Sequence, residues 1–164
     1  RRQHRGWDAN VQYTNNTGRN DFVAAKVSFD SRHLYFYVRT QDQITPPSGT
    51  NWMLLFLDTD ANAQTGWLGY DFVVNRIAPG SVERNQGGKY AWQACGKAKW
   101  RQAGDQLELS IPCAALDQTS PPAQLDFKWA DNCIAAGDWT DFTLNGDAAP
   151  NDRFNFRAVL KPSP

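Results

Sequence analysis

The sequence is poor in glutamate, methionine and histidine, and it lacks the motifs of several enzyme classes. Glu83 and Glu108 are its only glutamates. Hydrolysis of a glycosidic bond needs two carboxyl groups, one on each side of the bond. Neither glutamate has an evident partner, and Asp131, Asp138 and Asp141 are more simply explained as loop and turn residues. The patterns Gly-x-Ser-x-Gly and His-Glu-x-x-His are also absent. We therefore expect a protein that is not an enzyme.

Net charge and the lack of long apolar runs argue against two further classes. The 17 lysines and arginines equal the 17 aspartates and glutamates, so no net field would hold a nucleic acid or an anionic membrane. No apolar run approaches the roughly 20 residues that span a bilayer, and Arg1 to Arg5 lack the apolar stretch of a signal peptide. The expectation is a soluble chain, mature or excised, with no nucleic-acid or membrane partner.

The three cysteines, Cys95, Cys113 and Cys133, are far apart and form no Cys-x-x-Cys pattern. A zinc site is therefore not expected. The spacing leaves two states open, which are one disulfide with one free thiol and three unpaired thiols.

Short runs of β-branched and aromatic residues alternate with turn residues along most of the chain. The predicted strands are 22–29, 34–39, 52–57, 70–75, 90–95, 107–111, 125–129 and 154–160. Ala114 to Leu116 is predicted to form one helical turn. With 164 residues, the pattern indicates a single all-β domain over 1–164, an antiparallel, jelly-roll-like β-sandwich of about eight or nine strands. Residues 1–20 are only weakly patterned.

An acidic loop between two predicted strands is the best indication of a site. Asp58, Asp60 and Asn62 fall at every second position, so a tight turn could direct three side-chain oxygens at one Ca²⁺. The carbonyl of Gln64 or the hydroxyl of Thr65 would add a further ligand.

The loop follows the EF-hand pattern only at its start. An EF-hand has Gly at its sixth position and a bidentate Glu at its twelfth, where this chain has Ala63 and Gly69. Asp71 is the expected distal carboxylate. The alternative is a solvated Asx turn without metal.

Aromatic residues make up 13% of the chain, and flat rings commonly hold sugars. Most are expected in the core, including Trp52 and Trp129, which fall on the inward side of their predicted strands. Trp139 lies in a polar loop and is the first candidate for an exposed stacking platform. The other candidates for sugar binding are Trp67 and Tyr70 as rings, Asn75, Arg76 and Asp71 as hydrogen-bonding groups, and Trp92 and Trp100 as weaker rings. For Trp67 and Tyr70 the alternative is that they attach the acidic loop to the core.

Several segments together resemble the family 9 carbohydrate-binding modules and their relatives. These segments are Leu57-Asp58, Asp60 to Gly66, Tyr70 to Asn75, Phe127 to Asn132, and Asn145 to Pro150 with Arg153-Phe154. The resemblance covers roughly Phe22 to Leu160. It implies a secreted, extracellular or periplasmic β-sandwich with structural calcium. Such a module, expected as a monomer, would bind a plant or algal polysaccharide without catalysis and target a linked catalytic domain.

The sequence departs from that family at the sugar clamp. Members that bind reducing ends hold the sugar between two Trp rings, but Pro46 to Asn51 and Asn145 to Asp152 contain no ring. The clamp is therefore not carried over. The alternatives are a catalytic domain that acts on a polysaccharide, and a structural or partner-docking spacer.

Haem is a further alternative, because sandwich relatives of this group include haem-binding electron-transfer domains. Haem needs axial ligands such as Met and His, for which the chain offers Met53, His4 and His33. Met53 lies in an apolar strand and is expected in the core.

Overall fold

The fold is nearly all β, with 47% strand and 4% helix. The computed structural model describes residues 2–5, 12–15, 19–48, 51–133, 135–144, 146–151 and 153–160, of which 2–5, 12–15, 143 and 144 are described by their backbone alone. The strands of these residues are β1 (Arg2–Arg5), β2 (Gln12–Asn15), β3 (Phe22–Phe29), β4 (His33–Thr40), β5 (Leu54–Asp58), β6 (Phe72–Val74), β7 (Ser81–Asn85), β8 (Trp92–Lys97), β9 (Lys99–Ala103), β10 (Gln106–Pro112), β11 (Gln124–Asp131), β12 (Asp147–Ala149) and β13 (Phe156–Val159).

The smaller of the two main sheets has four antiparallel strands in the order β3-β4-β10-β9. Its strands alternate between core and solvent, as one-sided burial requires. In β4, Leu34, Phe36 and Val38 are buried and Tyr35 is exposed. The apolar half of this sheet thus faces the core, and its polar half forms an outer face.

The larger sheet has the order β12-β11-β5-β6-β7-β8, and β13 pairs with the other half of β11. All five residues of β5 are buried, because this sheet is covered on both faces. Leu55 and Leu57 belong to the core between the sheets, whereas Leu54 and Phe56 belong to a second cluster on the outer face.

The predicted β-sandwich is confirmed, with sheets of four and seven strands packed together. The predicted helical turn is a 3₁₀ helix over Cys113–Leu116, and a short α-helix, α1, spans Asp141–Leu144. The two sheets hold more strands than the eight or nine predicted, because short strands such as β7, β9 and β12 carry little apolar alternation. Within the weakly patterned start of the chain, β1 and β2 pair with each other.

The core predictions hold for three residues. Trp52, Met53 and Trp129 are each at most 3% exposed and lie in the core between the sheets. Of the three residues considered as haem ligands, Met53 is thus in the core. His33 lies on β4 beside Asp30, and the side chain of His4 is outside the described residues.

All three cysteines are free thiols, and Cys113 and Cys133 are buried. Of the two states that the spacing left open, the structure therefore has unpaired thiols. In the described part of the chain, no helix is both long and apolar enough to cross a membrane.

Candidate metal centre and ligand cleft

The acidic loop, residues 59–71, connects two neighbouring strands of the larger sheet. β5 and β6 are antiparallel, with Leu57 paired to Phe72, so the next residues on the loop side, Asp58 and Asp71, lie side by side. Asp60 completes the set, since one carboxylate oxygen from each of the three aspartates lies within 4.8 Å of the other two. The sequence predicted this grouping, and the strand pairing produces it.

The three aspartates, here called the acidic triad, concentrate negative charge in a partly buried place. Asp58 is only 3% exposed, and burial is the main cause that raises its pKa to about 6, with the carboxyl groups of Asp71 and Asp60 raising it further. Burial also raises the pKa of Asp71. No ion pair joins the triad to any described residue. A bound cation would offset the desolvation cost of the buried carboxylates and the repulsion between them.

Hydrogen bonds inside the loop use the other predicted ligands. The backbone N–H of Asn62 donates to Asp58 Oδ1 and Asp60 Oδ1 at 3.1 and 2.9 Å. The side-chain oxygen of Asn62 accepts the N–H of Gln64 at 3.1 Å, as in an Asx turn. The Thr65 hydroxyl donates to Asp60 at 3.1 Å. Asn62 and Thr65 therefore shape the turn that holds the triad.

Trp67 and Tyr70 are not exposed platforms, and for them the alternative reading holds. They are 7% and 3% exposed and lie with their ring centroids 5.7 and 5.1 Å from that of Phe56. Phe56 projects from the outer face of the larger sheet, and apolar rings cover it to avoid water. The two rings attach the acidic loop to the sheet.

We call this second apolar group the aromatic cluster. Its buried members are Leu54, Phe56, Trp67, Tyr70, Val73, Ala130, Cys133, Phe142 and Ala148, with Tyr90, Trp92 and Trp139 packed against it. Trp92 is therefore a half-buried part of this packing, with its ring 6.2 Å from that of Phe56, and is not an isolated surface ring.

Asn75 and Arg76, predicted to bind sugar hydroxyls, form structural bonds. Asn75 is 4% exposed; its Nδ2 donates to the Met53 carbonyl and its Oδ1 accepts the Gly80 N–H, both at 2.8 Å. Arg76 donates from Nε and Nη2 to the two oxygens of Glu83 at 2.9 and 2.5 Å. Asn75 is thus committed to the backbone and Arg76 to Glu83, and neither residue lines the cleft described below.

Trp139 lines an open cleft of about 370 Å³ next to the acidic loop. The guanidinium carbon of Arg153 lies 5.0 Å from the centre of the Trp139 ring, a cation–π distance. The Tyr70 hydroxyl donates to Asn155 Oδ1 at 2.6 Å at the base of the same cleft. The residues that line the cleft are Ala63, Gln64, Leu68, Tyr70, Trp139, Phe142, Arg153 and Asn155.

Sequence reasoning missed Arg153 and Asn155 as part of this cleft. Both follow β12 and precede β13 in a polar segment without periodicity, and nothing in their spacing relates them to Trp139. One signal was available: the segment between β12 and β13 is longer than a tight turn requires, which indicates a surface loop.

The two glutamates lie on opposite sides of the molecule. Glu108 alternates with the core residues Leu107 and Leu109 on the smaller sheet, and Glu83 pairs with Val73 of the aromatic cluster on the larger sheet. They cannot flank one glycosidic bond.

Comparison with models of protein families finds no match for this chain. Comparisons with curated proteins and with solved structures find none either.

Proposed function

We propose that this protein is a non-catalytic carbohydrate-binding module that resembles family 9, with calcium in its acidic loop and a sugar in the adjoining cleft. The observation that carries the proposal is that the acidic loop, Trp139 and Arg153 line the same cleft. A pyranose offers CH groups to a ring face and hydroxyls to polar groups, and the cleft supplies both kinds of contact.

Calcium is the cation that best suits the acidic triad. Ca²⁺ prefers carboxylate, carbonyl and water oxygens in flexible geometry, and the triad offers carboxylates on a loop with further carbonyl oxygens. Gln64 and Leu68, from the same loop, line the cleft. Calcium would therefore fix the wall of the cleft as well as neutralise the triad.

Glu83 and Glu108 lie on opposite outer faces, so these two carboxyl groups do not form a catalytic pair. In a longer protein such a module would hold a linked catalytic domain near its substrate, a plant or algal polysaccharide. Affinity would come from ring contact and a few hydrogen bonds, each worth about 1 kcal/mol. Binding of single chains in the micromolar to millimolar range follows.

The test is retention of the purified protein on a panel of soluble and insoluble polysaccharides, with calcium or with a chelator, while released sugar is assayed in the supernatant. Trp139→Ala should weaken retention about fivefold or more. Because Trp139 also packs against the aromatic cluster, circular dichroism must show that the variant is folded at the assay temperature. Ile77→Ala is the matched control, because Ile77 is 60% exposed and lies outside the cleft.

Released sugar would reject the non-catalytic function and favour a glycan-active enzyme. If no polysaccharide retains the protein, a structural or partner-docking spacer becomes the better explanation. Equal retention of the Trp139 variant and the control would reject the cleft as the sugar site.

A further inference from the structure

A second open surface crosses the outer face of the smaller sheet, on the side of the molecule away from the aromatic cluster. It is a groove of about 750 Å³. Its floor is made of side chains that alternate with core residues on β3, β4, β10 and β9. Whereas the outer face of the larger sheet is covered by rings and loops, this face is open and rich in polar groups.

Strand register arranges the side chains of this face in two rows across the four strands. One row contains Lys26, Tyr37, Glu108 and Arg101, and the next contains Ser28, Tyr35, Ser110 and Lys99. At the usual strand spacing each row is about 14 Å long, and the two tyrosines are about 7 Å apart along β4. The groove is therefore long enough for several sugar units of one chain.

The two tyrosines are held in place within the groove. The Tyr35 hydroxyl donates to Asp30 Oδ2 at 2.6 Å, and the Lys26 ammonium lies 5.4 Å from the centre of the Tyr37 ring. Rings that are already ordered lose little entropy when a ligand covers them. These are suitable contacts for the CH faces of pyranose rings.

The charges of the groove favour an anionic ligand. Lys26, Lys99 and Arg101 line it, and Glu108 is its only carboxylate among the described lining residues. No described residue forms an ion pair with any of the three cations. Because the whole chain has no net charge, this excess is local to the groove.

We propose that this groove binds an anionic polysaccharide chain, with its uronate or sulfate groups at Lys99 and Arg101 and its sugar rings on Tyr35 and Tyr37. This inference rests on the proposed carbohydrate-binding function and adds a second site to it. A nucleic acid strand would also be anionic, but three cations around a carboxylate provide few phosphate contacts for it.

The test is electrophoresis of the folded protein through gels that contain polygalacturonate, a sulfated galactan or neutral xylan. The two acidic gels distinguish carboxylate from sulfate ligands. The doubly substituted Lys99→Gln/Arg101→Gln protein should bind the acidic chains about three- to tenfold more weakly, as expected for the loss of two exposed charge contacts. Added salt should weaken binding by the wild type more than by this variant.

Lys89→Gln/Lys97→Gln is the matched control, because it removes the same charge from exposed positions that lie beside and on β8, in the larger sheet and outside the groove. Its binding should stay within about twofold of the wild type. Tyr37→Ala should weaken binding to the acidic chains, and the melting temperature of each variant shows whether it is folded.

Equal retardation of the groove variant and the control would overturn the inference, as would tighter binding of a single-stranded oligonucleotide than of either acidic glycan. If Trp139→Ala loses glycan binding and the groove variant does not, the proposed function stands and this second site fails. If no glycan retards the wild type, both fail.

Discussion

Asp58→Asn separates a calcium site from a merely hydrogen-bonded loop, because only a calcium site predicts a calcium-dependent rise in melting temperature that this variant loses. The amide keeps the shape of the carboxylate and an oxygen to accept the Asn62 N–H, but it removes one charge of the acidic triad. Folding raises the pKa of Asp58, so above about pH 6 its charge destabilises the metal-free fold. Without metal at pH 7.5, the variant should therefore be more stable than the wild type.

That gain should depend on pH in a defined direction. It should be complete above the folded pKa of Asp58, about 6, and decline as the pH falls through the range down to about 4, the pKa of an unfolded aspartate. Below that range the carboxyl is protonated in both states, and the charge no longer distinguishes them.

With calcium the wild type should gain far more stability than the variant, so the difference between the two proteins should largely disappear. A dissociation constant of about 0.1 mM, at the tight end for extracellular modules, gives about 2.7 kcal/mol of stabilisation in 10 mM calcium. For a chain of 164 residues, this corresponds to a rise in melting temperature of about 5–11 °C. If the lost carboxylate weakens binding about 100-fold, the variant should rise by less than about 2 °C.

Thermal melts followed by circular dichroism, in calcium, magnesium and chelator, measure both effects. Asp42→Asn is the control, because Asp42 is exposed and outside the triad. An unchanged wild-type melting temperature on calcium addition would refute the metal site, and so would a full calcium response of the Asp58 variant.

Three further predictions concern the loop, the buried ion pair and the thiols. Gly66→Ala should destabilise the fold by more than about 2 kcal/mol in urea unfolding, because a Cβ at Gly66 would overlap a backbone carbonyl of the same loop. Gly87→Ala is the control: Gly87 also has a positive φ but lies in open space, so this substitution should cost about 1 kcal/mol. Glu83→Gln should cost about 2 kcal/mol in the same assay, since the Glu83 side chain is 2% exposed and paired with Arg76. Asp117→Asn breaks the exposed pair with Arg84 and should cost less than about 1 kcal/mol. Cys133, whose pKa burial raises to about 12, should resist iodoacetamide at pH 8 in the folded protein and react after unfolding, as read by mass spectrometry; equal labelling in both states would contradict its burial.

The alternation of apolar residues is local information, and it was sufficient to predict the β-sandwich and the inward positions of Trp52 and Trp129. The spacing of Asp58, Asp60 and Asn62 was sufficient to predict the acidic loop. The grouping of Asp58 with Asp71 was also predictable, because both flank one connection between antiparallel neighbours. The short strands β7, β9 and β12 were not, since their place depends on partners rather than on their own periodicity.

The tertiary structure decided whether each aromatic or polar candidate is buried or open to a ligand. Trp67 and Tyr70 have the same local sequence whether they face solvent or Phe56, and only the second covered face of the larger sheet buries them. The contact between Arg153 and Trp139 depends on how the chain folds between them and cannot be predicted from their spacing in the sequence. In the same way, the groove on the smaller sheet exists because strand register places side chains from four separate strands in one row. The sequence alone determined the sheet and its acidic loop, whereas only packing determined which surfaces remain open to a ligand.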